Sequence, residues 1–210
     1  MLPRRKICKL PAWFTRAFCR ACNGGWMAQL EEATRPVLGP MIRSRPTTLL
    51  GEREQRLLTL WATKTALAFQ TMELTSTQWA LPEDFATLHA RSEPPPGSQV
   101  WLGAREQFYP AWYRAHSLSR DRSAIDVVDG YSVVLTVGFA VFFLIVSRDP
   151  QVQVRLRGEG ALAMAPIWPR RREHVRWPPA RLLAPIDLTR LPHRLLRDAA
   201  LRPRGSEASG

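Results

Sequence analysis

The chain has 210 residues, 45% of them hydrophobic, with eight Trp and eight Phe, which is enough for one domain or two small ones built on a real core. Three cysteines exclude a disulfide framework and fit a reducing, cytoplasmic setting. Thirty Lys and Arg against 18 Asp and Glu leave a formal charge of +12, which favours a polyanionic partner, although a high Arg content also follows from genome composition.

Residues 1–18 begin with a basic stretch, MLPRRKICKLPAWF, that lacks the apolar run of a signal peptide, so secretion is not expected. A helix is expected after Asn23-Gly24-Gly25. Trp26, Met27, Leu30, Ala33, Val37 and Leu38 fall at helical spacing, and Pro36 and Gly39-Pro40 predict a kink or an end near Thr34 to Leu38. The clearest helix runs from about Glu52 to Leu74. Its apolar face is Leu57, Leu58, Trp61, Thr65, Ala68, Phe69 and Met72, and Glu52 and Glu54 suit the dipole of its first turn. Trp61 and Lys64 either line a site or belong to this packing stripe, and the spacing favours packing. A short helix with Phe85 and Leu88 should start at Leu81-Pro82 and end before the loop Pro94-Pro95-Pro96-Gly97.

Strand character follows. Val100-Trp101-Leu102 is the first candidate. Tyr131 to Val146 carries no charge and falls short of the ~20 residues that span a bilayer. Its Val, Phe and Ile content and its central Gly138 predict two buried strands joined or bent at the glycine. Gln151 to Arg157 alternates polar and apolar like a half-exposed strand. Five prolines between 166 and 185 argue against regular structure there, with Trp168 and Trp177 pinning the loops onto the core. A last helix near Leu191 to Leu201 and a disordered tail at 201–210 complete the expectation.

The chemistry-bearing motif is Cys19-x-x-Cys22-Asn23. Both thiolates can reach one Zn²⁺, but a structural zinc site takes four ligands, and Cys8 is the only other cysteine. An inert pair and a redox dithiol are the competing readings, the latter without the βαβ context it usually has. His89, His116 and His193 have no ligand spacing. Glu173-His174 is either a solvated pair or a displaced catalytic one.

The segment CRACNGGWMAQLEEATRPVLGPMI resembles the CxxCNxGWMxxLE portion of bacterial HNH-endonuclease-like proteins, and the later LLTLWATKTALAF extends the likeness. Only residues 19–31 carry it specifically. By this resemblance Cys19 and Cys22 are the closing zinc ligands of the knuckle, and Asn23 is the last, metal-binding position of the H-N-H signature. The first half, with the His that activates water, has no counterpart, so no catalytic residue is assigned. The resemblance implies zinc, with a second divalent metal only where an upstream half completes the site. The expectation is therefore an α+β protein: a truncated HNH-like knuckle segment at 1–50, then an α+β body at 51–200 with one long helix and a small antiparallel sheet. It would be a degenerate or N-terminally truncated HNH-like protein, associated with DNA or RNA and inactive as it stands. The alternative is a non-enzymatic basic binding or structural protein with inert cysteines. Arg170, Arg171, Arg172 and Arg176, set between Trp168 and Trp177, are the candidate nucleic-acid contacts; a solvated loop on Trp anchors is the competing reading.

Overall fold

The computed structural model describes residues 20–71, 79–118, 129–149, 152–156, 158–169, 172–188 and 202–203. In chain order the elements are α1 (Arg20–Cys22), a π-helical turn (Asn23–Met27), α2 (Ala28–Arg43), β1 (Thr48–Leu50), α3 (Glu52–Gln70), α4 (Pro82–Arg91), β2 (Ser98–Leu118), β3 (Gly130–Ser147), β4 (Val152–Gln153), α5 (Gly158–Ala163), β5 (Met164–Trp168), β6 (Val175–Trp177) and β7 (Arg202–Pro203). The fold is α+β. Its centre is an antiparallel sheet of order β3-β2-β5, and two short pairs, β1 with β6 and β4 with β7, stand beside it.

The uncharged run at 131–146 forms most of one strand, β3, rather than two strands. Its continuous apolar character has a direct cause: both faces of the sheet are covered. Val133, Leu135, Phe142 and Leu144 join α2 and α3 side chains such as Met41, Leu58 and Leu67 in one cluster. Val134, Val141, Phe143 and Ile145 join Trp101, Met164 and Leu183 in a second cluster. Each fully buried Phe or Leu here is worth about 1.5–3 kcal/mol. No helix among the described residues is long and apolar enough to cross a membrane.

The bend expected at Gly138 is present. Its φ is +57°, a left-handed value that glycine adopts without strain. Across the ladder the register of β2 shifts between Ala104 and Tyr109 and again between Tyr109 and Ala111. Pro110, which has no N–H to give a ladder, sits in this bulge. Strand β2 therefore runs far beyond the expected 100–102. Its outer half lacks alternation; pairing with β3 holds it extended, and Tyr113, stacked on Phe69 of α3 at 5.1 Å, packs it on the core. Pro166 is tolerated in β5 because that strand pairs on one side only, with β2. Of the strand expected over 151–157, only Val152–Gln153 is regular among the described residues. The Gln99 side chain stands in for a further strand there, accepting from Val154 N at 2.8 Å and reaching Val154 O at 3.5 Å.

Helix α2 passes the expected stop and continues to Arg43. Pro36 and Pro40 remove the N–H groups that would bond the carbonyls of Glu32 and Pro36. Both of those residues are exposed, so water can replace the lost bonds. Buried Leu38 and Met41 hold the last turns on the core. Helix α3 begins at Glu52 as expected, after the extended Gly51. It is not amphipathic in the ordinary sense: among its residues only Glu52, Arg53 and Arg56 are exposed. The Leu58, Ala62, Ala66 and Leu67 face is the most deeply buried, with Trp61 beside it against Phe142 at a centroid distance of 5.6 Å. Met72 and the expected helix at 191–201 lie outside the described residues. Arg202–Pro203, in the tail, pairs with Val152–Gln153.

Helix α4 starts at Pro82 as expected and is fastened by a polar cluster. Asp84 is buried and accepts from Leu81 N at 3.0 Å, from Arg148 Nη1 at 2.9 and 3.1 Å, and from Tyr131 Oη at 3.3 Å. Burial, helped by the neighbouring Asp84 carboxylate, pushes the Tyr131 phenol well above its ordinary value. The folded state thus keeps a proton that the unfolded chain releases near pH ~10. Stability from this group is complete below that pH and is lost as pH rises above it. In alkaline titrations followed by circular dichroism, Tyr131→Phe should be less stable than wild type at pH 7 by about 1 kcal/mol, the worth of a hydrogen bond. It should lose less stability than wild type between pH 9 and 11. Parallel curves over that range would reject this account.

Candidate functional site

The Cys-x-x-Cys segment opens the helical hairpin of α2 and α3. Cys22 closes α1 and is half-buried, and Asn23 is exposed in the π-helical turn. That turn contains Gly25 at φ −99°, ψ −112°, outside helical space, which the glycine permits. The detour turns Trp26 toward α4, where its ring lies 5.7 Å from that of His89, and buries Met27. Cys19, the partner thiolate, and Cys8 lie outside the described residues. Among the described residues no group of three His, Cys, Asp or Glu side chains is placed to hold a metal ion. Cys22 and Asn23 by themselves do not make a zinc site.

The two stretches that carried the HNH-like resemblance meet in space. Glu31, from the first, receives an ion pair from Lys64 Nζ of the second at 2.5 Å. The Lys64 side chain is only 6% exposed, whereas Glu31 is 57% exposed. A buried ammonium needs such a partner. Lys64 is thus a packing cation between α2 and α3, and Trp61 is part of the core, as the stripe suggested.

The basic segment is held more firmly than its prolines suggested. Gln55, fully buried in α3, donates through Nε2 to Arg172 O at 2.7 Å and to Leu50 O at 3.0 Å, and accepts from Arg172 N at 3.3 Å. Val175 and Trp177 then point inward, and the Trp177 indole donates to Gly103 O at 3.0 Å. Strand alternation forces Arg176, between them, to point outward. Arg172 and Arg176 are both exposed. Arg170 and Arg171 lie outside the described residues. His174 is exposed and lies 3.9 Å from its chain neighbour Glu173, a local pair. Trp168 packs on the core from a half-buried position.

A second basic cluster escaped the sequence. At the β2 bulge, the Arg105 guanidinium lies 5.0 Å from the centre of the Tyr109 ring, and that of Arg45 lies 4.7 Å from the Phe139 ring. Phe108 meets Phe139 edge-on at 5.7 Å, and Arg45 Nη1 donates to Arg105 O at 3.1 Å. Burial pulls the Arg105 guanidinium below its ordinary value, and the Tyr109 phenol acts in the opposite direction. The one signal for this cluster in the sequence was a proline after paired aromatics, in Phe108-Tyr109-Pro110.

Two adjoining clefts of about 240 and 300 Å³ share Gln99, Gln153, Trp168 and Pro169. Gln99 is already engaged with Val154, and no Cys or His is among the described residues that line either cleft. No family model matches the chain, and no curated protein or solved structure matches it.

Proposed function

We propose that the chain is a basic, HNH-like protein of the cytoplasm that holds DNA or RNA without cutting it. The observation that carries this reading is the formal charge of +12 together with two arginines, Arg172 and Arg176, displayed outward from an ordered backbone. Cations on a fixed frame neutralise phosphates without first losing backbone freedom, and each neutralised phosphate releases counterions.

The test is the affinity for a fluorescent oligonucleotide as salt is varied. Log affinity should fall linearly with log salt, and Arg176→Ala should lower the steepness by about 1. An affinity indifferent to salt would overturn the reading. Cys19 and Cys22 are the thiolates proposed for zinc. Bound zinc in the purified protein, lost on Cys19→Ser, is the expected result. Metal-free protein of unchanged stability would favour the alternative, a basic binding or structural protein with inert cysteines. Metal-dependent cleavage of plasmid DNA would overturn the non-catalytic assignment.

A further inference from the structure

Three features at the β2 bulge do not fit a merely solvated surface. Phe108 is 54% exposed and Tyr109 46% exposed, within a run, 106–111, that is exposed throughout. Arg105 is only 6% exposed, its Nε is buried without a hydrogen-bond partner, and no carboxylate among the described residues acts on it. Two aromatic–arginine pairs, Phe139 with Arg45 and Tyr109 with Arg105, are tied together by the Arg45 to Arg105 hydrogen bond. A buried guanidinium without a counter-ion is costly unless an anion completes it. Exposed aromatic faces beside it call for a flat apolar group on that same anion.

We infer that the Arg45, Arg105, Phe108, Tyr109 and Phe139 cluster is a stacking platform for a single strand of nucleic acid, with unpaired bases on Phe108 and Tyr109 and phosphates beside the two guanidinium groups. This deepens the nucleic-acid reading above and rests on it. Paired bases hide their faces, so a duplex cannot use the aromatic rings, whereas every unpaired base offers a π-face. The overall charge of +12 complements the strand, and the single acidic residue of the bulge, Glu106, is exposed to water. The bulge itself is what turns neighbouring side chains out of strict alternation.

The experiment compares the full chain with Phe108→Ala/Tyr109→Ala by fluorescence anisotropy, on 15-nucleotide oligo-dT, on oligo-U of the same length, and on a duplex. The double variant should lose about tenfold or more in affinity for a single strand and change little on the duplex. Tyr109→Phe, which keeps the ring, should bind like wild type. Equal losses on oligo-dT and oligo-U assign the site to both nucleic acids, and a loss on one alone assigns it to that one. If the double variant unfolds, Phe108→Ala carries the same comparison. Unchanged single-strand affinity would overturn the platform while leaving the nucleic-acid reading in place. Absence of wild-type binding to any of the three would overturn both. A change of oligomeric state at equal affinity would assign the patch to self-association instead.

Discussion

Gly138→Ala should destabilise the protein by about 2–5 kcal/mol, seen as a large fall in the urea midpoint. Two costs add. The residue sits at φ +57°, where an L side chain is strained by roughly 1–2 kcal/mol. A Cβ there would also lie 2.0 Å from the carbonyl oxygen of Ile42, near the end of α2. That neighbour is backbone and cannot swing aside, so the helix or the strand must shift, at about 1–3 kcal/mol. Gly138→Val should be worse, because branching at Cβ adds bulk on the same side. Gly24→Ala is the control: a Cβ there meets nothing within 4 Å, and the change should be within about 1 kcal/mol of wild type. A Gly138→Ala protein as stable as the Gly24→Ala protein would show that α2 does not seat against β3 at this point.

Asp84→Ala should cost about 3 kcal/mol, because one carboxylate serves three donors. Its removal strands the Tyr131 hydroxyl, the Leu81 N–H and the Arg148 guanidinium, whose Nη2 also donates to Trp79 O at 2.7 Å. Breaking a buried pair from one side typically costs about 3–5 kcal/mol, and the low end applies because the Arg148 side chain is 26% exposed and can reach water. The charge is the larger part of that cost. Asp84→Ala/Arg148→Met should therefore be more stable than Asp84→Ala alone, by about 1 kcal/mol or more in a double-mutant cycle. Strict additivity of the two changes would remove the ion pair from the account.

How much of this was legible in the sequence depends on where the determining contacts lie. The start of α4 could be read because Pro82 acts locally, within the first turn. The start of α3 could be read for the same reason, from Glu52 and Glu54. The outer half of β2 could not, since residues 106–111 face water and have no apolar period of their own. Helix α2 beyond Pro36 could not, since its continuation depends on which carbonyls face solvent. The α+β class followed from the helical stripe after Glu52 together with the long apolar run, whose two-sided burial also explains why it mimicked a membrane segment. At the site, Arg176 was a residue of interest from composition, but its outward direction depends on Val175 and Trp177 finding the core. The exposure of Phe108 and Tyr109 could not be read, because a proline after paired aromatics does not say which way the rings face. Only the register shift of β2 against β3 exposes them.

The pairing of β1 with β6 sets an order of events during synthesis. Thr48 faces Trp177 and Leu50 faces Val175, and the side chain of Gln55 closes on a backbone 117 positions further along. While the ribosome makes the intervening chain, the leading strand has no mate and the Gln55 amide has its Leu50 bond but not its two to Arg172. At about 5–20 residues per second that interval lasts on the order of ten seconds. The hairpin of β2 and β3, whose contacts are closer in sequence, can assemble within it. The nascent chain would then wait, half-built and sticky at Leu50 and Leu58, for one tryptophan to arrive and close it.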